Sequence, residues 1–151
     1  MFRGSLIDSE YQGISTIQIM NLLAPDVASL GNHEVDYGLA HLLFLERCAN
    51  FPIICANMYV KYIGKRLFSS LWIKEIDGMR VLFIGIVTKE VLSSTKNDGL
   101  IGMLIDLEDA LSEVGKVCDA HRNTDIDLTV LLTHIGFEED KRLAEKLNPA
   151  W

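Results

Sequence analysis

The sequence predicts an α/β domain in which a mixed sheet is flanked by helices. Apolar runs short enough to be buried strands alternate with segments whose apolar residues recur at helical spacing, and one Asp-Gly pair, Asp77-Gly78, joins two strand-like runs as a tight hairpin. The polar clusters follow directly on the apolar runs, at strand ends, where α/β sheets build their sites.

Taken in order, Ile14, Ile17 and Met20, with Leu23 beyond, predict a helix over 13–21, and Pro25-Asp26 breaks the run. Residues 27–30 are apolar and stop at Gly31, as a buried strand would. Leu39, Leu42, Leu43 and the stretch 45–49 predict a second helix, closed by Asn50-Phe51-Pro52. The segment 52–56, PIICA, reads as another buried strand. Residues 68–76 alternate, Asp77-Gly78 suits a turn with positive φ at both central positions, and 79–87 reads as a central strand buried on both faces. Leu107, Ala110, Leu111, Val114 and Val117 predict an amphipathic helix over 107–118, with Asp106, Glu108 and Asp109 complementing its dipole. A strand over 126–133 ends at His134-Ile135-Gly136, and a charged helix over about 138–147 starts with Glu138-Glu139-Asp140.

Composition narrows the function classes. A 151-residue chain can bury roughly 70% of the surface its unfolded form exposes, and 49% hydrophobic residues with 3 Pro describe a globular domain, not a disordered one. The net charge of −7 comes without a basic patch, the densest cationic cluster being 61–66, so nucleic acid is a poor partner. Such a surface can still handle an anionic substrate if cations occupy its carboxylates. Cys48, Cys55 and Cys118 match neither a zinc knuckle nor a CxxC motif and read as reduced core residues. The first ten residues, MFRGSLIDSE, lack the pattern of an export signal, and no apolar run approaches the ~20 residues that span a bilayer. As it stands the chain reads as cytoplasmic, with no membrane partner.

The segment 29–38, SLGNHEVDYG, concentrates the chemistry. Asn32 offers an amide oxygen that can ligate a cation without adding charge, and Gly31 would let the backbone turn so that it faces outward. His33, being adjacent, cannot easily share that cation. Asp36, three residues on, is placed to accept a hydrogen bond from the His33 ring, which would favour the imidazolium and fix its tautomer, as a general acid requires. The competing reading is a helix entry whose Asn and Asp cap backbone amides and whose His is exposed. His134 can be a metal ligand or a satisfied loop histidine. His41 lies within the second predicted helix and His121, beside Arg122, suits a helix C-terminus, so neither receives a role.

GNHEVDYG closely resembles the GNHEFDxG signature of the calcineurin-like metallophosphoesterases, in their 5′-nucleotidase and UDP-sugar hydrolase branch. FPIICANMYV, VLFIGIVT and LLTHIGFEEDKRLA resemble the same family, so the similarity covers nearly the whole chain. The resemblance implies a metal-dependent phosphohydrolase of the αββα sandwich type, acting on a nucleotide or sugar nucleotide in nucleotide catabolism. It makes Asn32 and His134 ligands of one metal of a binuclear site (Mn, Zn, Co or Mg), His33 the acid or transition-state-stabilising histidine, and Asp36 its orienting partner. Val35, in place of the usual Phe, affects packing only. Members of the branch often act in the periplasm or outside the cell.

Against that pattern the chain lacks an Asp-x-His, the bridging Asp of Gly-Asp-x-x-x-Gly, a late Gly-His-x-His or Gly-His-x-Gln, and the nucleoside-binding domain. Gly4 aligns with the last glycine of the second motif, which puts the bridging aspartate just before Met1. Residues 1–151 therefore read as a partial metallophosphoesterase domain, holding at most one cation, weakly, and impaired or inactive alone; activity of the chain by itself would mean that some other carboxylate, Asp8 or Asp36 for instance, holds the metals. The alternative is a non-catalytic α/β binding or interaction module. The absent strands would leave sheet edges open to self-association.

Overall fold

The computed structural model describes residues 10–89, 105–148 and 151. Along the described chain run α1 (Ile14–Leu23), β1 (Ala28–Ser29), α2 (Leu39–Cys48), β2 (Ile53–Ile54), β3 (Met58–Val60), β4 (Lys65–Arg66), β5 (Leu71–Ile76), β6 (Met79–Val87), β7 (Ile105–Leu107), α3 (Ala110–Ala120), β8 (Leu128–His134) and α4 (Phe137–Lys146). The expected mixed sheet is β5-β6-β8, with β5 antiparallel and β8 parallel to β6. Two smaller sheets adjoin it, the parallel pair β1-β2 and the antiparallel β4-β3-β7.

Strand β6 anchors the domain because both its faces are covered. Leu82, Ile84 and Ile86 pack with Val114, Val117 and Cys118 of α3, whereas Val87 joins Leu30, Val35, Leu42, Cys55, Met58 and Phe68 in a second cluster. Between them Gly85 admits the β1-β2 layer: a Cβ there would lie 2.8 Å from the Ile54 carbonyl carbon and 2.9 Å from Ser29 Oγ. Ile17 of α1 and Leu45 of α2 are buried together with Phe51, from the segment after α2, as a third cluster. The β5-β6 hairpin turns as expected, with φ of 50° at Asp77 and 83° at Gly78.

Helix α3 starts at Ala110, later than the apolar periodicity indicated, because Asp109 caps it through Ser112 N and Leu107 pairs with Met58 in β7. Of the three acidic residues expected to serve that helix, Asp109 does so as the cap, while Asp106 lies in β7 opposite Tyr59. His121 forms the C-cap, its Nδ1 2.9 Å from Val117 O. All three cysteines are free thiols, and burial pushes Cys55 up to about 12.

One charged cluster lies inside the fold. Glu113 on α3 is completely covered and accepts from Tyr59 Oη (2.7 Å), Arg66 Nη2 (2.7 Å) and Lys116 Nζ (2.6 Å). Arg66 also gives its Nε–H to Ala56 O at 2.9 Å and stacks over the Tyr59 ring at 5.3 Å. The network ties the β3-β4 hairpin to α3 and leaves the carboxylate fully hydrogen-bonded, the condition under which a buried charge is tolerated.

Candidate functional site

The site forms where β1 and β8 end. After Ser29 the chain leaves β1 through Leu30 and Gly31 into a run of turns over 32–37, closed by hydrogen bonds from Asp36 N to His33 O (3.2 Å) and Gly38 N to Val35 O (2.9 Å). Val35 and Leu30, both buried in the second cluster, pin this loop to the core. The run is a turn and not a helix entry: the N-cap of α2 is Gly38, and no side chain caps it.

The structure brings Asn32 and His134 together although 102 residues separate them, with His134 Nε2 3.0 Å from Asn32 Oδ1. An amide oxygen only accepts, so Nε2 carries the proton in this bond. His33 and Asp36 also meet, Nδ1 donating to the Asp36 Oδ2 carboxylate oxygen at 2.8 Å. All four residues singled out from the sequence thus lie in two side-chain pairs flanking one loop. His41 sits apart with its Nε2 on Gln12 O at 2.6 Å. Asp8 lies outside the described residues.

Gly31 acts differently from the sequence expectation. It is not among the residues of positive φ, but a Cβ there would lie 2.7 Å from Glu34 Oε2 and 3.4 Å from the His134 ring. What a side chain at Gly31 would disturb is the close approach of the Glu34 carboxylate, not a turn conformation.

Glu34 received no role from the sequence. It is nevertheless buried (4% exposed), and its Oε2 accepts from Gly31 N at 2.6 Å, clasping the loop across the turn. Asn57 was also missed. It is 2% exposed, and its amide bonds both backbone groups of Val87, Nδ2 to O at 2.8 Å and Oδ1 from N at 3.1 Å. Nothing local distinguishes a buried Glu or Asn from an exposed one, since each is buried only through partners elsewhere in the chain.

An open groove of about 580 Å³ runs beside this cluster, lined by Ser29, Gly31, Glu34, Leu132, Thr133 and His134. Ser29 Oγ is buried there without a hydrogen-bond partner among the described residues. The donor set fits one divalent cation in part. An amide oxygen and an imidazole nitrogen suit a borderline ion, and two ligands bound side by side at about 2.1 Å would sit about 3 Å apart, as these atoms do. No group of three or more His, Cys, Asp or Glu side chains that could hold a metal occurs among the described residues, so they do not by themselves fit a binuclear centre.

The fold is that of the α/β phosphoesterases. It superimposes on the 5′-nucleotidase precursor from Thermus thermophilus with a TM-score of 0.83 at 26% identity, over 95% of this chain and 28% of that one. The calcineurin-like phosphoesterase YfkN from Bacillus subtilis shares the fold at a TM-score of 0.78, over 91% of this chain and 47% of that one. In sequence the chain is homologous to 5′-nucleotidases: it is 33% identical over 153 residues to the snake venom 5′-nucleotidase of Gloydius brevicauda, and 36% identical over 118 residues to the 5′-nucleotidase of Vibrio cholerae. These matches take in 97% and 78% of this chain but 25% and 21% of the relatives, so the chain spans about a quarter of their length or less. No family model matches it. Among the described residues no helix is long and apolar enough to cross a membrane.

Proposed function

We propose that this chain contributes one ligand pair and the acid pair of a 5′-nucleotidase-type phosphohydrolase site whose substrate is a nucleotide or sugar-nucleotide phosphoester. The observation that carries this is the meeting of Asn32 and His134 at 3.0 Å beside a His33–Asp36 pair at 2.8 Å. Asn32 and His134 would hold one divalent cation, His134 switching to the tautomer with its proton on Nδ1 so that Nε2 is free to ligate. Divalent cations supply an activated hydroxide and neutralise phosphate oxygens when bound. Asp36 holds the His33 ring by Nδ1, which aims a proton at Nε2 for the departing alkoxide oxygen.

The experiment compares the chain alone with the chain joined to the remaining segments of the Vibrio cholerae relative. Alone, with Mn²⁺, Zn²⁺, Co²⁺ or Mg²⁺, it is expected to release phosphate from AMP at the background rate, because the described residues bring only two donors to one cation. Joined, it is expected to show metal-dependent release. There His33→Asn and Asp36→Ala should lower turnover by roughly 100-fold or more while leaving metal affinity nearly intact, whereas Asn32→Ala and His134→Ala should weaken metal binding. Metal-dependent release that is indifferent to all four substitutions would sink the proposal and favour a non-catalytic module.

The same reading places self-association at the outer edge of β8, which pairs only with β6 among the described residues. Sedimentation velocity should show a weight-average mass rising with concentration; a constant monomer mass would refute it.

A further inference from the structure

Strand β6 runs past its partner β5. The β5-β6 register ends at Leu71↔Ile84, leaving Gly85, Ile86 and Val87 without β5 on that side. The segment 56–57 takes over: Ala56 N donates to Gly85 O at 2.7 Å, and the Asn57 side chain bonds both Val87 backbone groups as a neighbouring strand would. On its other side Val87 pairs with His134, and Thr88 N donates to His134 O at 2.9 Å. A buried side-chain amide is thus linked through one β6 residue to the histidine that meets Asn32.

We propose that Asn57 is a positioning residue, setting the backbone of His134 through Val87 so that the imidazole reaches the Asn32 amide oxygen. The inference rests on the functional reading only where it concerns metal; the Asn57–Val87–His134–Asn32 linkage stands without it. An amide suits the task because one side chain must both donate to Val87 O and accept from Val87 N, and at 2% exposure water cannot substitute. Asn57 also anchors the chain before α3, its own carbonyl accepting from Glu108 N at 3.0 Å and its Nδ2 reaching Glu108 O at 3.4 Å. A loss of stability alone would therefore not distinguish positioning from packing.

The test uses the 151-residue chain with ¹³C,¹⁵N-labelled histidine, in the parent, in Asn57→Leu and in the milder Asn57→Ser. Val114→Ala, which opens the core on the opposite face of β6, serves as a stability control. In both Asn57 variants the His134 ring cross-peak should move and the ring tautomer ratio change at fixed pH, and Zn²⁺ titration of that peak should show affinity lowered by about 10-fold, the usual cost of disturbing a ligand's support. In Val114→Ala, at matched melting loss, the peak should stay in place. If Asn57→Leu does not fold, Asn57→Ser decides. A His134 peak and Zn²⁺ affinity unchanged in the folded Asn57 variants would overturn the proposal. If the parent peak ignores Zn²⁺, the functional reading fails, and the metal-free ring shift and tautomer still judge Asn57.

Discussion

Gly85→Ala is expected to lower the unfolding free energy by about 3 kcal/mol and the melting midpoint by on the order of 10 °C. The added methyl would meet backbone, the Ile54 carbonyl group of β2, and Ser29 Oγ of β1, and backbone in a sheet cannot rotate aside as a side chain can. Relief requires the β1-β2 layer to lift from β6. Because Asn32 follows β1 by three residues while His134 is held on the β8 side, the same movement should part the 3.0 Å pair. Scanning calorimetry checks the stability, and a midpoint within about 2 °C of the parent would show that the layers are not packed this closely.

Glu113→Ala should also be damaging, by about 2–3 kcal/mol, because it takes the shared acceptor from the Tyr59 hydroxyl and from Arg66, whose half-buried guanidinium keeps only its bond to Ala56 O. Burial alone would raise the Glu113 carboxyl, but hydrogen bonds from Lys116, Tyr59 and Arg66 outweigh it and hold the group below its ordinary value of 4.5. A carboxyl depressed on folding stabilises the protein above its unfolded pKa and loses that contribution as pH falls through the folded value. Tyr59 is raised above 10.0, first by burial and then by its bond to Glu113, so its contribution is present below 10.0 and is lost as pH climbs through the folded value. Urea midpoints should therefore decline below pH 4.5 and above pH 10.0. In Glu113→Gln the acid decline should be shallower. An identical acid limb in the two proteins would mean that Glu113 is not held ionised by this network.

What the sequence revealed of the fold was what repeats locally. The helices α1 and α2 carry helical periodicity, β6 is one nearly continuous apolar run, α4 opens on an acidic turn, and Asp77-Gly78 names its own turn. The short strands β3, β4 and β7 do not: Met58 becomes a strand residue because Leu107, far along the chain, lies opposite it. The amphipathic pattern that runs through Leu107 hid that pairing. The site divides the same way. Asn32, His33, Asp36 and His134 stand out as polar residues at the ends of apolar runs. Glu34 carries no local signal of its burial, and only the fold shows it covered and closed on Gly31 N.

If Asn32 and His134 form a ligand pair for one divalent cation, paramagnetic broadening by Mn²⁺ should find the ion between them. With two donors from the described residues, binding should be weak, and at millimolar Mn²⁺ the His134 ring and Asn32 side-chain signals should broaden first. His41 and His121, held on Gln12 O and Val117 O, should remain sharp. The main rival is the acidic first turn of α4, Glu138, Glu139 and Asp140, which could attract the same ion by charge alone. Selective loss of the Asn32 and His134 signals, abolished by His134→Ala, is the expected result. Broadening centred on residues 138–140 while His134 stays sharp would show that the pair is not a metal ligand.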